Sequence, residues 1–238
     1  MKANAVLPPL NLEGRDREAA LTGFLILTGL FVASLVSCNL IFRKFFVWEL
    51  GGLTFEQSVG LLPYPLTFLI TDVISEVYGR RKAQGVVLAG LAASFMTLLV
   101  IALAGHADAA VWSPVTDAQF DHVFGQTVVA VGASMAAYLL AQFLDVRIFH
   151  FWKRLTEGRH LWLRNNLSTI PSQLIDTLTV LALLCLVGEI QWERFGALLL
   201  NGVAFKALVA ALDTPLVYLA VGWIRRRFAL APGQEIAL

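Results

Sequence analysis

Asp72 and Glu76 stand four residues apart in Thr71-Asp72-Val73-Ile74-Ser75-Glu76, inside a run that is otherwise largely apolar. At 100° per residue an i, i+4 pair shares one helix face, here with Leu69 and Val73 alongside, so both carboxylates are expected to point the same way. Asp176 stands in a second such run, with Ser168 and Ser172 on its stripe and Gln173 and Thr177 beside it. A third run carries Lys206 and Asp213 on one face, two turns apart and followed by Thr214-Pro215. Asn39 sits near the end of a fourth. A buried carboxylate can accept two N–H donors from one planar ligand, neutralise a lysine, or carry a proton, and an amide can serve a carbonyl or nitrile. Plainer roles compete with these. Glu76 is expected to reach an interface and pair with Arg80, one turn on; Lys206 can neutralise Asp72, Asp176 or Asp213; and serine and threonine hydroxyls often bond their own helix carbonyls.

The elements that carry these residues are helices in a bilayer. The 238 residues are 58% hydrophobic and 15% charged, against roughly 45–50% and 25% for soluble domains, which excludes an ordinary soluble globule and a disordered chain. A bilayer core about 30 Å thick needs roughly 20 apolar residues of helix, and six runs qualify, near 21–41, 58–78, 84–104, 126–146, 167–188 and 195–223. The expected fold is all-α: a polytopic membrane protein with six transmembrane helices spanning 21–223, between an N-terminal segment 1–20 and a C-terminal tail 224–238. Fourteen of the eighteen Lys and Arg residues, among them Lys2, Arg80, Arg81, Arg159 and Arg225 to Arg227, fall on one side of that arrangement, while Arg43, Lys44 and Arg194 fall on the other. The loop from Gly105 to Gly125 has no basic residue. Short basic loops stay in the cytoplasm, so both termini are expected there.

A charge at the bilayer centre costs at least about 2.5 kcal/mol, so Asp72, Asp176 and Lys206 each call for a reason. Segments three and four are nearly free of ionisable residues before Asp145-Val146-Arg147 and carry small residues such as Ala89, Ala93 and Ala136 at helix-packing spacing, as scaffold helices do. Pro65 precedes Asp72 by seven residues and Pro171 precedes Asp176 by five, each expected near the start of its helix. Two inverted three-helix halves with corresponding proline-marked segments would put a transport site at the midplane.

Other chemistry lacks its parts. All four histidines lie in loops, and HExxH, GxSxG, GxxxxGK[ST] and Gly-x-Gly-Asp are missing, which leaves an enzyme the poorer class. Cys38 and Cys185 show no disulfide or zinc pattern. A net charge of +1 gives no footprint for nucleic acid. No cofactor is expected.

The run from Pro65 to Ala83, Pro-Leu-Thr-Phe-Leu-Ile-Thr-Asp-Val-Ile-Ser-Glu-Val-Tyr-Gly-Arg-Arg-Lys-Ala, resembles the signature of the vitamin uptake transporter family, also described as queuosine precursor transporters. Asn39 with Lys44, Asp145, Arg164-Asn165-Asn166-Leu167-Ser168-Thr169, Ser172 to Thr177, and Lys206 with Asp213-Thr214-Pro215 are similar to the family pattern as well. The resemblance covers about residues 24–222 and implies a bacterial inner-membrane importer of 7-cyano-7-deazaguanine or a close relative, feeding tRNA modification. It also implies a fold similar to that of the substrate-binding subunits of energy-coupling-factor transporters.

The residues suit such a ligand. A deazaguanine offers adjacent ring N–H and amino donors to one buried carboxylate, Asp72 or Asp176, while Gln173 or Asn39 can meet its carbonyl or nitrile. Phe68, Tyr64 or Trp112 can stack the ring. Asp72, Asp176, Gln173, Asn39, Glu76, Lys206, Asp213 and Phe68 are thus the candidate substrate-binding residues. The expected partners are a small 7-deazapurine and the lipid bilayer. A homodimer and an external ATPase module stay open, and the rival functions are a vitamin-binding subunit that needs such a module and a membrane-embedded enzyme.

Overall fold

The computed structural model describes residues 7–42, 44–50, 53–125, 128–157, 160–186, 188 and 190–238. Lys2, Arg43 and Arg159 of the charge pattern, and Gln126, Thr127 and Val187 at the edges of expected spans, lie outside the described residues. The chain runs β1 (Leu10–Asn11), α1 (Gly14–Ile41), β2 (Phe45–Leu50), β3 (Leu53–Ser58), a single 3-10 turn (Val59–Leu61), α2 (Tyr64–Val77), α3 (Arg80–Ala104), α4 (Asp117–Phe124), α5 (Val128–Leu155), α6 (Leu161–Leu186), α7 (Trp192–Phe228) and β4 (Ile236–Ala237). Four helices, α1, α3, α6 and α7, are long and apolar enough to cross a membrane by length and composition.

The second expected span is where sequence and structure part most clearly. In place of about 21 continuous helical residues from 58, an antiparallel hairpin of β2 and β3 leads into a helix of only 14 residues. Two prolines set that start. Pro63 is the N-cap and Pro65 lies in the first turn, where a missing N–H is harmless, whereas a helix continuing upstream would need that donor. At 1.5 Å per residue, α2 rises about 21 Å. The fold is therefore mostly but not wholly helical.

This short helix is the centre of the bundle. Ten of its fourteen residues are buried, and it packs against α1, α3, α5 and α7. Phe31 and Leu35 of α1, Val73, Ile74 and Val77 of α2, Val86 and Val87 of α3, Val146 and Phe149 of α5, and Val217 and Val221 of α7 form one apolar core. Leu25, Leu30, Phe95, Leu99, Leu103, Leu200, Leu212 and Leu219 instead point outward and are exposed. An apolar exterior around buried acids and amides is the pattern of a helix bundle solvated by lipid.

Close approaches hold α2 at both ends. Gly79, at φ 83°, turns the chain from α2 into α3; Glu235 lies where a side chain there would have to go. Gly60, before α2, lies so close to α1 that a Cβ would come within 2.7 Å of the Cys38 carbonyl oxygen and 2.8 Å of Phe42 Cβ. At the base of the bundle, Leu10 and Asn11 pair in parallel with Ile236 and Ala237, so the segment before α1 and the segment after α7 meet on one side. Beyond residue 223, α7 continues to Phe228, and Leu230 and Ile236 are buried in the core.

Pro171 is also placed differently from expectation. It lies inside α6, ten residues after its first residue, because α6 begins at Leu161, upstream of the expected Leu167. The proline in α2 opens its helix, whereas the one in α6 lies within a continuous helix, so the two do not occupy corresponding places.

Candidate functional site

Every fourth residue of α2 from its start, Tyr64, Phe68, Asp72 and Glu76, lies along one stripe, and the polar residues of the bundle gather around it at three levels. Successive members are about 6 Å apart along the helix axis.

At the level of Tyr64 is a cavity of about 260 Å³. Asn39 of α1, Tyr64, Ser94 of α3, Tyr138 of α5, Asp176 and Thr177 of α6, and Lys206 of α7 supply its polar lining, with Leu35, Leu91, Leu181 and Leu198 among the apolar walls. Ser58, Gly60 and Leu61, where the hairpin leads into α2, close part of it, and Trp48 of the hairpin meets Phe205 of α7 edge to face at 6.3 Å. Lys206 Nζ lies 2.7 Å from Asp176 Oδ2 and 4.7 Å from the centre of the Tyr64 ring. The Tyr64 ring stands at 69° to that of Tyr138, centroids 6.3 Å apart. Asn39 Nδ2 donates to Ser94 Oγ at 3.2 Å. Both tyrosine hydroxyls are buried without a hydrogen-bond partner among the described residues. The Tyr64 hydroxyl nonetheless faces the Asp176 carboxyl and the Tyr138 hydroxyl faces Gln142, so both rings are placed by polar neighbours of the site.

Two turns below Tyr64, Asp72 meets Asp145 of α5. Both are buried, and their carboxyl groups lie within hydrogen-bonding reach of each other. Ser172 of α6 donates to Asp145 Oδ1 at 3.1 Å, and Thr169 to Asp72 Oδ2 at 3.4 Å. Between this pair and the cavity, Gln142 joins α5 to α2, its amide 3.4 Å from each of Thr71 Oγ1 and Thr67 Oγ1.

At the base, Glu76 is an ion-pair hub. Arg164 Nη2 is 2.5 Å from its Oε1, Arg225 of α7 pairs with the same oxygen, and Lys153 Nζ of α5 lies 3.8 Å from Oε2 while also pairing with Glu235 at 2.9 Å. One carboxylate thereby ties α2 to α5, α6 and α7. These cations displace the expected Arg80 partner. Arg164, expected in a loop, is fully buried and reaches Glu76 from the first turn of α6.

Of the candidate residues, the structure brings Asn39, Asp176 and Lys206 to the cavity. It places Asp72 and Glu76 two and three turns below Tyr64, and Phe68 in the core against Tyr64 at 5.5 Å. Gln173 is buried, its Oε1 without a partner among the described residues, yet it is not in the cavity lining. Asp213 is half-exposed on α7 and lines neither level; Lys206 pairs with Asp176 instead. Trp112 is 86% exposed in the loop before α4, away from any stacking role at the cavity. Tyr138, Gln142 and Asp145 mean that α5 is no mere scaffold. Asp145 sits in sequence beside the exposed Arg147, which gave it the look of an interfacial residue.

A bundle with an apolar exterior, a small partly open cavity and charges at its centre is the construction of a solute-handling membrane protein. The chain belongs to the vitamin uptake transporter family: residues 58–220 match the family described as "Putative vitamin uptake transporter". It is 29% identical over 175 residues to a Bacillus subtilis (strain 168) protein named "Probable queuosine precursor transporter", covering 72% of this chain and 74% of that one. It is 28% identical over 126 residues to the Escherichia coli (strain K12) "Queuosine precursor transporter", covering 53% and 54%. No solved structure matches the chain. The family and both relatives are transporters, and this chain is a transporter and not an enzyme.

Proposed function

We propose that this chain imports a queuosine precursor, 7-cyano-7-deazaguanine or a related 7-deazaguanine, across the bacterial inner membrane for tRNA modification. The observation that carries the reading is the cavity. Its volume falls just under the roughly 300–1,000 Å³ of typical small-molecule sites, which suits one bicyclic ring system, and it combines two tyrosine rings with a carboxylate, an ammonium and an amide. Asp176 accepts the ring N–H and amino donors, Asn39 meets the carbonyl or nitrile, and Tyr64 or Tyr138 stacks the ring. Lys206, 2.7 Å from Asp176 Oδ2, fixes the position of that carboxyl group. The names of the two relatives support the choice of ligand.

In this reading six helices cross the membrane: α1, α3, α5, α6 and α7 in full, and α2 with its preceding turn over residues 59–77, the hairpin filling the outer part of that crossing. An even number of crossings agrees with the meeting of β1 and β4, and the basic residues put that end in the cytoplasm. Binding of 7-cyano-7-deazaguanine to the purified protein, compared with guanine, hypoxanthine and xanthine, tests the reading. The deazaguanine is expected to bind best, and hypoxanthine, which lacks the amino donor, at least tenfold more weakly than guanine. Equal binding of all four would overturn the role of Asp176. An ATPase module co-purifying with the chain and required for uptake would make it the binding subunit of a larger transporter.

A further inference from the structure

We propose that Asp72 and Asp145 form a site for one transferable proton between the cavity and the Glu76 hub, and that substrate import is driven by a proton passing through it. The second part rests on the importer reading; the first rests on the burial of both acids and on Thr169 and Ser172, one turn apart on α6, which donate to Asp72 and Asp145 respectively. The two acids are 1% and 0% exposed and come from different helices with their carboxyl groups in reach of each other. Asp72 Oδ1 and Asp145 Oδ2 have no hydrogen-bond donor among the described residues, and neither acid takes part in an ion pair there. Ionised carboxylates only accept hydrogen bonds, so two of them at this range repel. One proton held between them turns one into a donor and halves the buried charge.

The surroundings fit a proton better than a fixed countercharge. From α6 the pair is faced by Ser168, Thr169, Ser172 and Arg164. Arg164 is engaged by Glu76, the next acid along α2, and Arg225 from α7 binds that same carboxylate. On α5 the neighbouring Arg147 is exposed. At the base Arg164, Arg225 and Lys153 face Glu76 and Glu235, one positive charge in excess, which the Asp72 and Asp145 pair offsets when it holds one proton and carries a single negative charge. Thr67, Thr71 and Gln142 give it a polar column toward the cavity. The step is simple in its balance: a proton from the outer side joins the dianionic pair, the pair becomes a monoanion, and the same proton leaves to the cytoplasm without any redox change.

Two measurements test this in reconstituted protein. Infrared difference spectra between acid and alkaline pH are expected to show the C=O stretch of a buried protonated carboxyl in the parent, lost in the isosteric double variant Asp72→Asn/Asp145→Asn. No titrating buried carboxyl in the parent, or the same band in the double variant, would overturn the proton site. In sodium-free proteoliposomes with an acidic exterior, labelled 7-cyano-7-deazaguanine is expected to accumulate up to about tenfold per pH unit of gradient, the ratio for one proton per neutral substrate. A protonophore or Asp145→Asn removes the accumulation. Counterflow exchange without gradient-driven accumulation would overturn the coupling and leave import standing. A titrating band without any exchange of this substrate would overturn the import reading and leave the proton site standing.

Discussion

Lys206 Nζ lies 2.7 Å from Asp176 Oδ2 while resting 4.7 Å over the Tyr64 ring, so one lysine neutralises the cavity's acid and orders its aromatic wall. Both partners are nearly inaccessible, and a buried pair that loses one member leaves an uncompensated charge. Lys206→Ala or Asp176→Ala is therefore expected to cost about 3–5 kcal/mol of stability, with much of it recovered when both are replaced. Thermal denaturation of the three variants checks this. In the same proteins, 7-cyano-7-deazaguanine binding is expected not to recover in the double variant if Asp176 has the ligand role proposed above; recovery would assign Asp176 to the ion pair alone.

Glu76 gathers three bases where a surface acid would gather none. Glu76→Gln leaves Arg164, Arg225 and Lys153 facing one another and is expected to lower stability by about 3–5 kcal/mol. Glu235, whose side chain is 29% exposed, is expected to lose about 1 kcal/mol or less on Glu235→Gln. Denaturation at low and high salt separates the two: added salt shrinks the effect at Glu235 and leaves that at Glu76 nearly intact, since buried pairs are little screened.

The close approach of α1 and the turn before α2 makes a second contrast. Gly60→Ala forces a Cβ against Cys38 and Phe42 and is expected to destabilise by about 1–3 kcal/mol. Gly85→Ala, inside α3 with open space around it, is expected to be neutral or to stabilise by up to about 1 kcal/mol from helix propensity. Melting temperatures of the two variants should move in opposite directions or differ by several degrees.

Orientation follows from the placement of charge and is tested with single cysteines in a background without Cys38 and Cys185. Asp117, the first residue of α4, and Arg226, near the end of α7, are both exposed. An impermeant thiol reagent is expected to label a cysteine at Asp117 in intact cells and one at Arg226 only after lysis. The reverse pattern would invert the topology.

Much of this was legible in the sequence, and the rest failed for physical reasons. The stripe of Asp72 and Glu76 follows from helix geometry alone, and the pairing of Lys206 with Asp176 was among the three pairings that charge balance allows. The hairpin had a readable signal: Phe45–Leu50 is rich in aromatic and apolar residues, and Gly51-Gly52 follows it, a sequence typical of a tight connection between strands. A search for 20-residue apolar runs passes over it. Asp145 and Arg164 could not be placed from spacing, because Asp145 falls at the end of the expected span 126–146 and Arg164 just before the expected span 167–188, where charges usually meet water. Only the packing of α5 and α6 against α2 turns them inward, toward Asp72 and Glu76.

The central claim is that a 7-deazaguanine crosses the membrane through the cavity between Asn39, Tyr64, Tyr138 and Asp176. Uptake of labelled 7-cyano-7-deazaguanine into cells unable to make it tests this most directly, with the parent chain compared with Ser94→Trp, which fills the cavity, at equal abundance in the membrane. The parent is expected to restore uptake and the filled variant to leave it at the level of cells without the chain. No uptake with the parent, or equal uptake with both, would contradict the account.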